Sequence, residues 1–257
     1  MYVAELSFKQ FPVDPEKAEL GIRRLLRTWR NSGQVAGAEW PLSLKMGRYR
    51  LWVMIPERNS LSRQHNNKFA NEALAAMREN DLSMPKITIV GRDPNSLDED
   101  RCRKRKSFVL YTSYVSLESP LKCGDCLNPI PLYRLPYTDD VGHHDHIHFW
   151  SLTYQRCDGL FMGSTTGEKF GYREISNFAS SLTRSGLEVC KRIKKVTGLP
   201  CYYFLNRYYG RTQKEERKRR CPGCGGKWLL AERWHGRFDF RCDKCKLVSE
   251  LAPDYWG

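Results

Sequence analysis

The sequence predicts an α+β protein in three parts: an N-terminal ferredoxin-like βαββαβ domain, a central α+β domain and a C-terminal zinc ribbon. Three observations carry this reading. Hydrophobic periodicity alternates between strand-like and helix-like values through the first ninety or so residues. A polar, strongly basic stretch then interrupts the apolar pattern. Finally, the last segment holds four cysteines spaced Cys-x2-Cys-x17-Cys-x2-Cys.

Residues 2–8 alternate apolar and polar side chains, as a half-buried strand does. Asp14 opens a helix with Pro15 and Glu16 in its first turn, and Ile22, Leu25, Leu26 and Trp29 form its apolar stripe. Asn31-Ser32-Gly33 ends it. Residues 35–40 read as a short strand and Arg48 to Ile55 as a strong one. A second helix over 63–80 turns Phe69, Ala73, Ala76 and Met77 inward, and a strand over 86–90 completes a β-α-β-β-α-β domain spanning 1–91. Residues 92–106, with the run Arg101-Cys-Arg-Lys-Arg-Lys106, have the composition of a charged linker.

In the central domain, 107–205, ordered structure resumes at Phe108 to Val115, followed by the turn Cys123-Gly-Asp-Cys126. A strand is expected near 147–154, and a long helix over 172–197 aligns Ile175, Phe178, Leu182, Gly186, Val189 and Ile193. A buried strand over 201–205 follows. Residues 206–220 form a basic hinge with seven cations against two carboxylates, leading into the ribbon at 221–257.

Composition narrows the function. The chain has 257 residues, 40% hydrophobic and 12% aromatic, which excludes wholesale disorder. Its 43 Lys and Arg against 29 Asp and Glu give a net charge of +14, which draws polyanions, acidic protein surfaces included. No basic segment followed by an apolar one opens the sequence, and no run is apolar enough to span a bilayer. Six of the ten cysteines lie in Cys-x-x-Cys pairs, which points to metal binding in a reducing compartment, the cytoplasm.

Cys221, Cys224, Cys242 and Cys245 are the expected ligands of one structural Zn²⁺. Each Cys-x-x-Cys turn aims two sulfurs at one tetrahedral centre, and Gly223 and Gly225 allow the backbone of the first turn. Residues 227–234 and 237–241 alternate as two hairpin strands. So small a module gains its folding energy from the metal, and four protein ligands leave no position for water. A second ion at Cys123 and Cys126 would need two more ligands, for which Cys157, His143, His144, His146 and His148 are the candidates. The competing reading is a tight turn with two buried thiols.

No catalytic residue is assigned. The run His143-His-Asp-His-Ile-His148 lacks the order of metallo-hydrolase ligands, and a solvated loop leading into a strand accounts for it. Gly163-Ser-Thr-Thr-Gly167 lacks the lysine of a phosphate loop. Cys102 sits beside cations but has no neighbouring base. The chain is therefore read as non-enzymatic.

The basic hinge and ribbon are the expected nucleic-acid surface. Arg211, Arg217, Lys218, Arg219, Arg220, Arg237 and Lys244 would track phosphates, and Trp234 would stack on a base. Trp228 and Phe240 are expected to point inward. Arg23, Arg27 and Arg30 read as the solvated face of the first helix. Tyr49 and Trp52 fall on opposite faces of their strand, unlike the stacking pair of an RNA recognition motif.

Several motifs together resemble a known family. They are Ser119-Pro-Leu-Lys-Cys-Gly-Asp-Cys126, Pro131-Leu-Tyr-Arg-Leu-Pro136, Tyr154-x-x-Cys-Asp158, Thr197-Gly-Leu-Pro-Cys-Tyr-Tyr203, Cys221-Pro-x-Cys-Gly-Gly-x-Trp228 and Phe238-Asp-Phe-Arg-Cys-Asp-x-Cys245. The chain is similar to a domain-of-unknown-function family of uncharacterised bacterial proteins, described as containing a zinc ribbon and thought to bind nucleic acid. The similarity covers nearly the whole chain, most specifically 107–257. It implies the same four zinc cysteines and brings no catalytic residues. Nucleic-acid binding is thus the first expectation. A protein-interaction module, such as an immunity protein or inhibitor that docks an acidic partner, is the second. A metal-dependent enzyme using Cys123, Cys126 and the histidines is the third.

Overall fold

In the computed structural model, which describes residues 1–9, 14–79, 82–138 and 143–253, the chain is α+β with two sheets. Residue 80 of the expected second helix and the ribbon residues 254–257 lie outside the described set. Two units are distinguished.

The N-terminal unit comprises Met1–Glu99, Leu117–Ser119 and Pro129–Asp145. Its elements run β1 (Tyr2–Lys9), α1 (Pro15–Asn31), β2 (Ser43–Lys45), β3 (Arg48–Ile55), α2 (Lys68–Glu79) and β4 (Lys86–Arg92). The strands form an antiparallel sheet in the order β2-β3-β1-β4. Asp14 caps α1 by accepting the Glu16 N–H at 3.0 Å, and Ile22, Leu25, Leu26 and Trp29 pack into the core with Leu6, Phe8, Leu51 and Val53.

Three sequence expectations change here. Residues 35–40 form no strand and contribute one bridge, Ala36 to Met54. Gly33 and Gly37 take φ of 81° and 87°, and the Trp40 indole folds back to the Ala36 carbonyl at 3.2 Å, so the strand beside β3 starts at Ser43 instead. Helix α2 starts at Lys68 after a separate turn at Arg63–His65. It buries Ala70, Ala73, Leu74 and Met77 fully, while Phe69 and Ala76 are only half-buried. His143 and His144 are not a solvated loop. The His143 ring stacks on Phe69 at 4.6 Å, and His144, fully buried, donates its backbone N–H to the Asn31 carbonyl.

The C-terminal unit comprises Asp100–Ser116, Pro120–Asn128 and His146–Gly257. Its strands are β5 (Phe108–Leu110), β6 (Leu121–Cys123), β7 (Cys201–Phe204), β8 (Leu229–Trp234), β9 (Phe238–Cys242) and β10 (Leu247–Ser249). They make one six-stranded sheet in the order β6-β5-β7-β10-β9-β8. Strand β10 runs parallel to β7, with the Tyr203 N–H on the Lys246 carbonyl at 2.8 Å and Leu205 on Val248 at 2.9 Å. Strands from both sides of the 206–220 segment therefore share a sheet. That segment contains the short helix α6 (Gln213–Arg217), closed by a Thr212–Glu215 capping box.

The strand expected at 147–154 is instead helix α3 (Asp145–Gly163). Its buried positions Ile147, Trp150, Ser151, Tyr154, Cys157, Asp158 and Phe161 keep a helical period from the start of the window whose aromatics mimic a strand. The helix expected over 172–197 is two helices, α4 (Glu168–Ser176) and α5 (Ser181–Thr197). Ser180 separates them by capping α5, its Oγ accepting the Thr183 N–H at 3.1 Å. Gly186 lets α5 lie against β7, since a Cβ there would sit 2.1 Å from the Tyr203 ring. Among the described residues, no helix is long and apolar enough to cross a membrane.

Candidate metal centres and basic surface

Two groups of side chains among the described residues could hold a metal ion. The first joins Cys221, Cys224, Cys242 and Cys245, whose sulfurs all lie within 4.8 Å of one another. Cys224 Sγ and Cys242 Sγ are 3.7 Å apart. A tetrahedron with Zn–S bonds of ~2.3 Å has edges of about 3.8 Å, so this spacing fits zinc.

The backbone explains why the sulfurs converge. Gly225 donates its N–H to the Cys221 carbonyl at 2.8 Å with φ at 70°, and Lys246, the residue after Cys245, takes φ of 54°. Each Cys-x-x-Cys turn thus ends in a left-handed residue. Gly223 has no space for a side chain, because a Cβ would meet Cys245 Sγ at 2.8 Å and the Phe178 ring at 3.0 Å. The Gly226 N–H, then the neighbouring thiols, hold Cys224 down to about 7, whereas burial pushes Cys221 and Cys245 up. A divalent cation reverses the penalty on the buried thiols by favouring their thiolates.

The second group differs from the sequence expectation. Cys123 and Cys126 meet Asp100 and Cys102, again within 4.8 Å. Cys157, His146 and His148 are not brought there; all three lie on α3. The His146 Nε2 is 2.6 Å from an Arg192 guanidinium nitrogen. Two residues apart on a helix, His146 and His148 also leave the shared face that a strand would have offered.

Asp100 is fully buried in this cluster. Its Oδ1 accepts the Cys102 N–H at 3.0 Å and lies 3.2 Å from Cys126 Sγ, while Oδ2 takes Arg105 Nε at 2.5 Å. Burial alone would raise the carboxyl, but these donors bring it below its usual range. Burial pushes Cys123 up to about 11.

The basic residues divide into two kinds. Arg211, Arg217, Lys218, Arg220 and Lys244 are exposed. Arg219 is not: its side chain is 17% exposed, and it lies over the Phe240 ring at 4.4 Å and the Trp228 ring at 5.1 Å. It also donates to Ser249 Oγ and the Glu250 carbonyl, and burial lowers its guanidinium to about 10. Trp228 and Phe240 face inward as expected.

Arg237 is likewise engaged, donating to the Tyr111 hydroxyl at 2.7 Å and forming an ion pair with the Glu250 carboxylate at 2.6 Å. Trp234 is half-buried, with Tyr202 edge-on at 5.5 Å and the Arg241 guanidinium over its ring at 4.6 Å. Arg219, Arg237 and Trp234 thus each have partners within the fold, Arg219 being the most enclosed of the three. The register that brings β10 to β7 decides this, and no local sequence signal displays it. A separate groove of about 570 Å³ lies among α3, α4 and α5, where Phe149 and Phe170 are 67% and 51% exposed.

The chain matches three family models, each described as a domain of unknown function: DUF8589 over residues 1–91, DUF2310 over 102–206 and DUF8594 over 210–255. Two solved antibiotic biosynthesis monooxygenases, one a candidate of that class from Deinococcus radiodurans, share 13% and 11% identity at a TM-score of 0.27. They cover 38% and 36% of this chain and 97% and 99% of their own, a likeness too slight to carry an argument. A second protein of Haemophilus influenzae, described as uncharacterized, is 36% identical over 65% of this chain and 82% of its own. Another uncharacterized protein from that organism is 33% identical over 99% of this chain and the whole of its own length. With identity sustained from end to end, the chain belongs to the same uncharacterised bacterial family as this Haemophilus influenzae protein.

Proposed function

We propose that the chain is a non-enzymatic, cytoplasmic nucleic-acid-binding protein with a ferredoxin-like N-terminal unit and a C-terminal zinc ribbon. The strand order β2-β3-β1-β4 with two intervening helices supports the ferredoxin-like reading. The four-thiol cluster, its 3.7 Å sulfur spacing and its matched turns support zinc at Cys221, Cys224, Cys242 and Cys245. Zinc there would tie β9 and β10 to the turn at Cys221, and four protein ligands make its contribution structural.

One observation carries the binding reading. Arg217, Lys218 and Arg220 abut this centre and stay exposed, although Arg219 between them is drawn into the protein. Exposed cations on a fixed support suit phosphates. The test is fluorescence anisotropy of full-length protein with labelled single-stranded and duplex DNA and RNA across a salt series. Binding that weakens steeply with salt is expected. Absent binding to all four probes at low salt refutes this reading. A protein partner would then take precedence, a reading favoured by the exposed Phe149 and Phe170 at the α3–α5 groove.

A further inference from the structure

We infer that Asp100, Cys102, Cys123 and Cys126 form a second zinc centre, of the three-cysteine, one-aspartate class, whose occupancy orders the basic segment Arg101–Lys106. The turn carrying Cys123 and Cys126 reproduces the turn at Cys221 bond for bond. Leu127 donates its N–H to the Cys123 carbonyl at 2.8 Å with φ at 61°, as Gly225 does to Cys221 with φ at 70°. Cys123 Sγ accepts the N–H groups of Asp125 and Cys126, and Cys126 Sγ that of Asn128. At the ribbon turn, Cys221 Sγ accepts from Gly223 and Cys224, and Cys224 Sγ from Gly226. Leu127 holds a left-handed conformation that a leucine rarely adopts, so the turn is maintained by its surroundings.

The other two ligands come from the neighbouring segment. Asp100 Oδ1 lies 3.2 Å from Cys126 Sγ, close to the ~3.6 Å edge between a zinc-bound sulfur and a zinc-bound oxygen. Its second oxygen is fixed by Arg105, the outer partner that a ligating carboxylate needs. Asp125 is fixed as well, its Oδ2 accepting the Lys106 N–H at 2.7 Å. Loading this set with Zn²⁺ displaces the three thiol protons and leaves a formal charge of about −2 on the centre. Arg101, Arg103, Lys104 and Lys106, exposed around it, offset that charge. The segment that composition reads as a linker is thereby clamped to β6. The tip of the β8–β9 turn joins it, the His235 ring lying 2.8 Å from the Gly124 carbonyl.

Metal content and proteolysis test this. Full-length protein, reduced and saturated with zinc, should carry two zinc ions per chain after desalting. Asp100→Asn and Cys102→Ser should each carry one, with the remaining ion belonging to the ribbon. Co²⁺-loaded wild type minus Co²⁺-loaded Cys102→Ser should leave sulfur-to-cobalt charge-transfer bands and the visible bands of a tetrahedral ion. Trypsin should cut within 101–106 at least tenfold faster in either variant than in the loaded wild type. One zinc per chain in saturated wild type, or two retained in both variants, overturns the inference. So does an unchanged cleavage rate, which would separate the metal from the ordering of the segment. If Cys102→Ser fails to fold, Asp100→Asn alone decides, because it preserves side-chain shape and all the thiols.

Discussion

Neutralising the exposed cations beside the four-cysteine centre tests the proposed binding surface most directly. Arg211, Arg217, Lys218, Arg220 and Lys244 are exposed, and each phosphate contact to a single strand contributes about −0.7 to the slope of log K against log salt. Five contacts give a slope near −3.5, or roughly a hundredfold loss of affinity between 50 and 200 mM salt. Arg217→Ala, Lys218→Ala and Arg220→Ala together leave two contacts, a slope near −1.4 and a loss of about sevenfold over the same range. Arg219→Ala is the contrasting control. Its guanidinium lies against Phe240 and Trp228 and donates to Ser249 and Glu250, so its removal should cost about 2–4 kcal/mol of stability. Its salt slope should match the wild type's. Anisotropy titrations at four salt concentrations, paired with urea unfolding curves, give both numbers. A triple variant with an unchanged slope refutes the surface. An Arg219→Ala protein that keeps its stability but loses a unit of slope refutes the division between inward and outward arginines.

Three further outcomes follow from the packing, an ion pair and the metal. Gly186→Ala should lower the stability of the C-terminal unit by about 3 kcal/mol, since its Cβ would lie 2.1 Å from the Tyr203 ring and 2.6 Å from Trp150 Nε1, both buried; an unchanged urea midpoint would show that α5 does not approach β7 so closely. Burial would raise the Glu216 carboxyl, but hydrogen bonds from Arg207 and the charges of Arg207 and Arg219 bring it below 4.5. The unfolded state therefore binds more protons there, so this stabilisation is present above pH 4.5 and is lost as pH falls through the lower folded value. Glu216→Gln should accordingly be less stable than wild type at pH 7, with the gap closing on acidification; a gap that persists in acid would assign the loss to packing. If the four-cysteine centre holds the proposed zinc, chelating it should speed hydrogen exchange at Tyr203 and Leu205, whose N–H groups bond to Lys246 and Val248 beyond the last cysteine turn. Protection that survives complete metal removal would show that the sheet holds β10 without the ion.

The parts of the fold legible in the sequence are those fixed within a turn or two of chain. Asp14 and Pro15 mark the start of α1 because an N-cap is a local bond, and Arg48–Ile55 alternates because one face of β3 meets the core. Cys221, Cys224, Cys242 and Cys245 converge because each pair is set by its own tight turn. What stayed hidden depends on contacts between distant segments. Residues 147–154 carry strand-like aromatics, and these outweigh the helical i, i+3, i+4, i+7 spacing that Ile147, Trp150, Ser151 and Tyr154 already keep and that continues to Phe161. Cys102 and Asp100 lie upstream of Cys123, so a downstream search for ligands passes over them, and an aspartate among three cysteines breaks the familiar pattern.

The distribution of charge makes sense only once the centres are seen. Both dense basic runs, 101–106 and 217–220, abut a cysteine centre. A loaded four-thiolate or three-thiolate-and-carboxylate site carries a formal charge of about −2, so neighbouring cations have a structural use before any partner is considered. In the first run Arg105 serves it directly, through the carboxylate of Asp100. In the second, Arg219 turns inward yet pairs with Glu216, and Arg217, Lys218 and Arg220 remain exposed. Those three carry +3, more than offsetting about −2 requires. That surplus is what the proposed nucleic-acid contact would use.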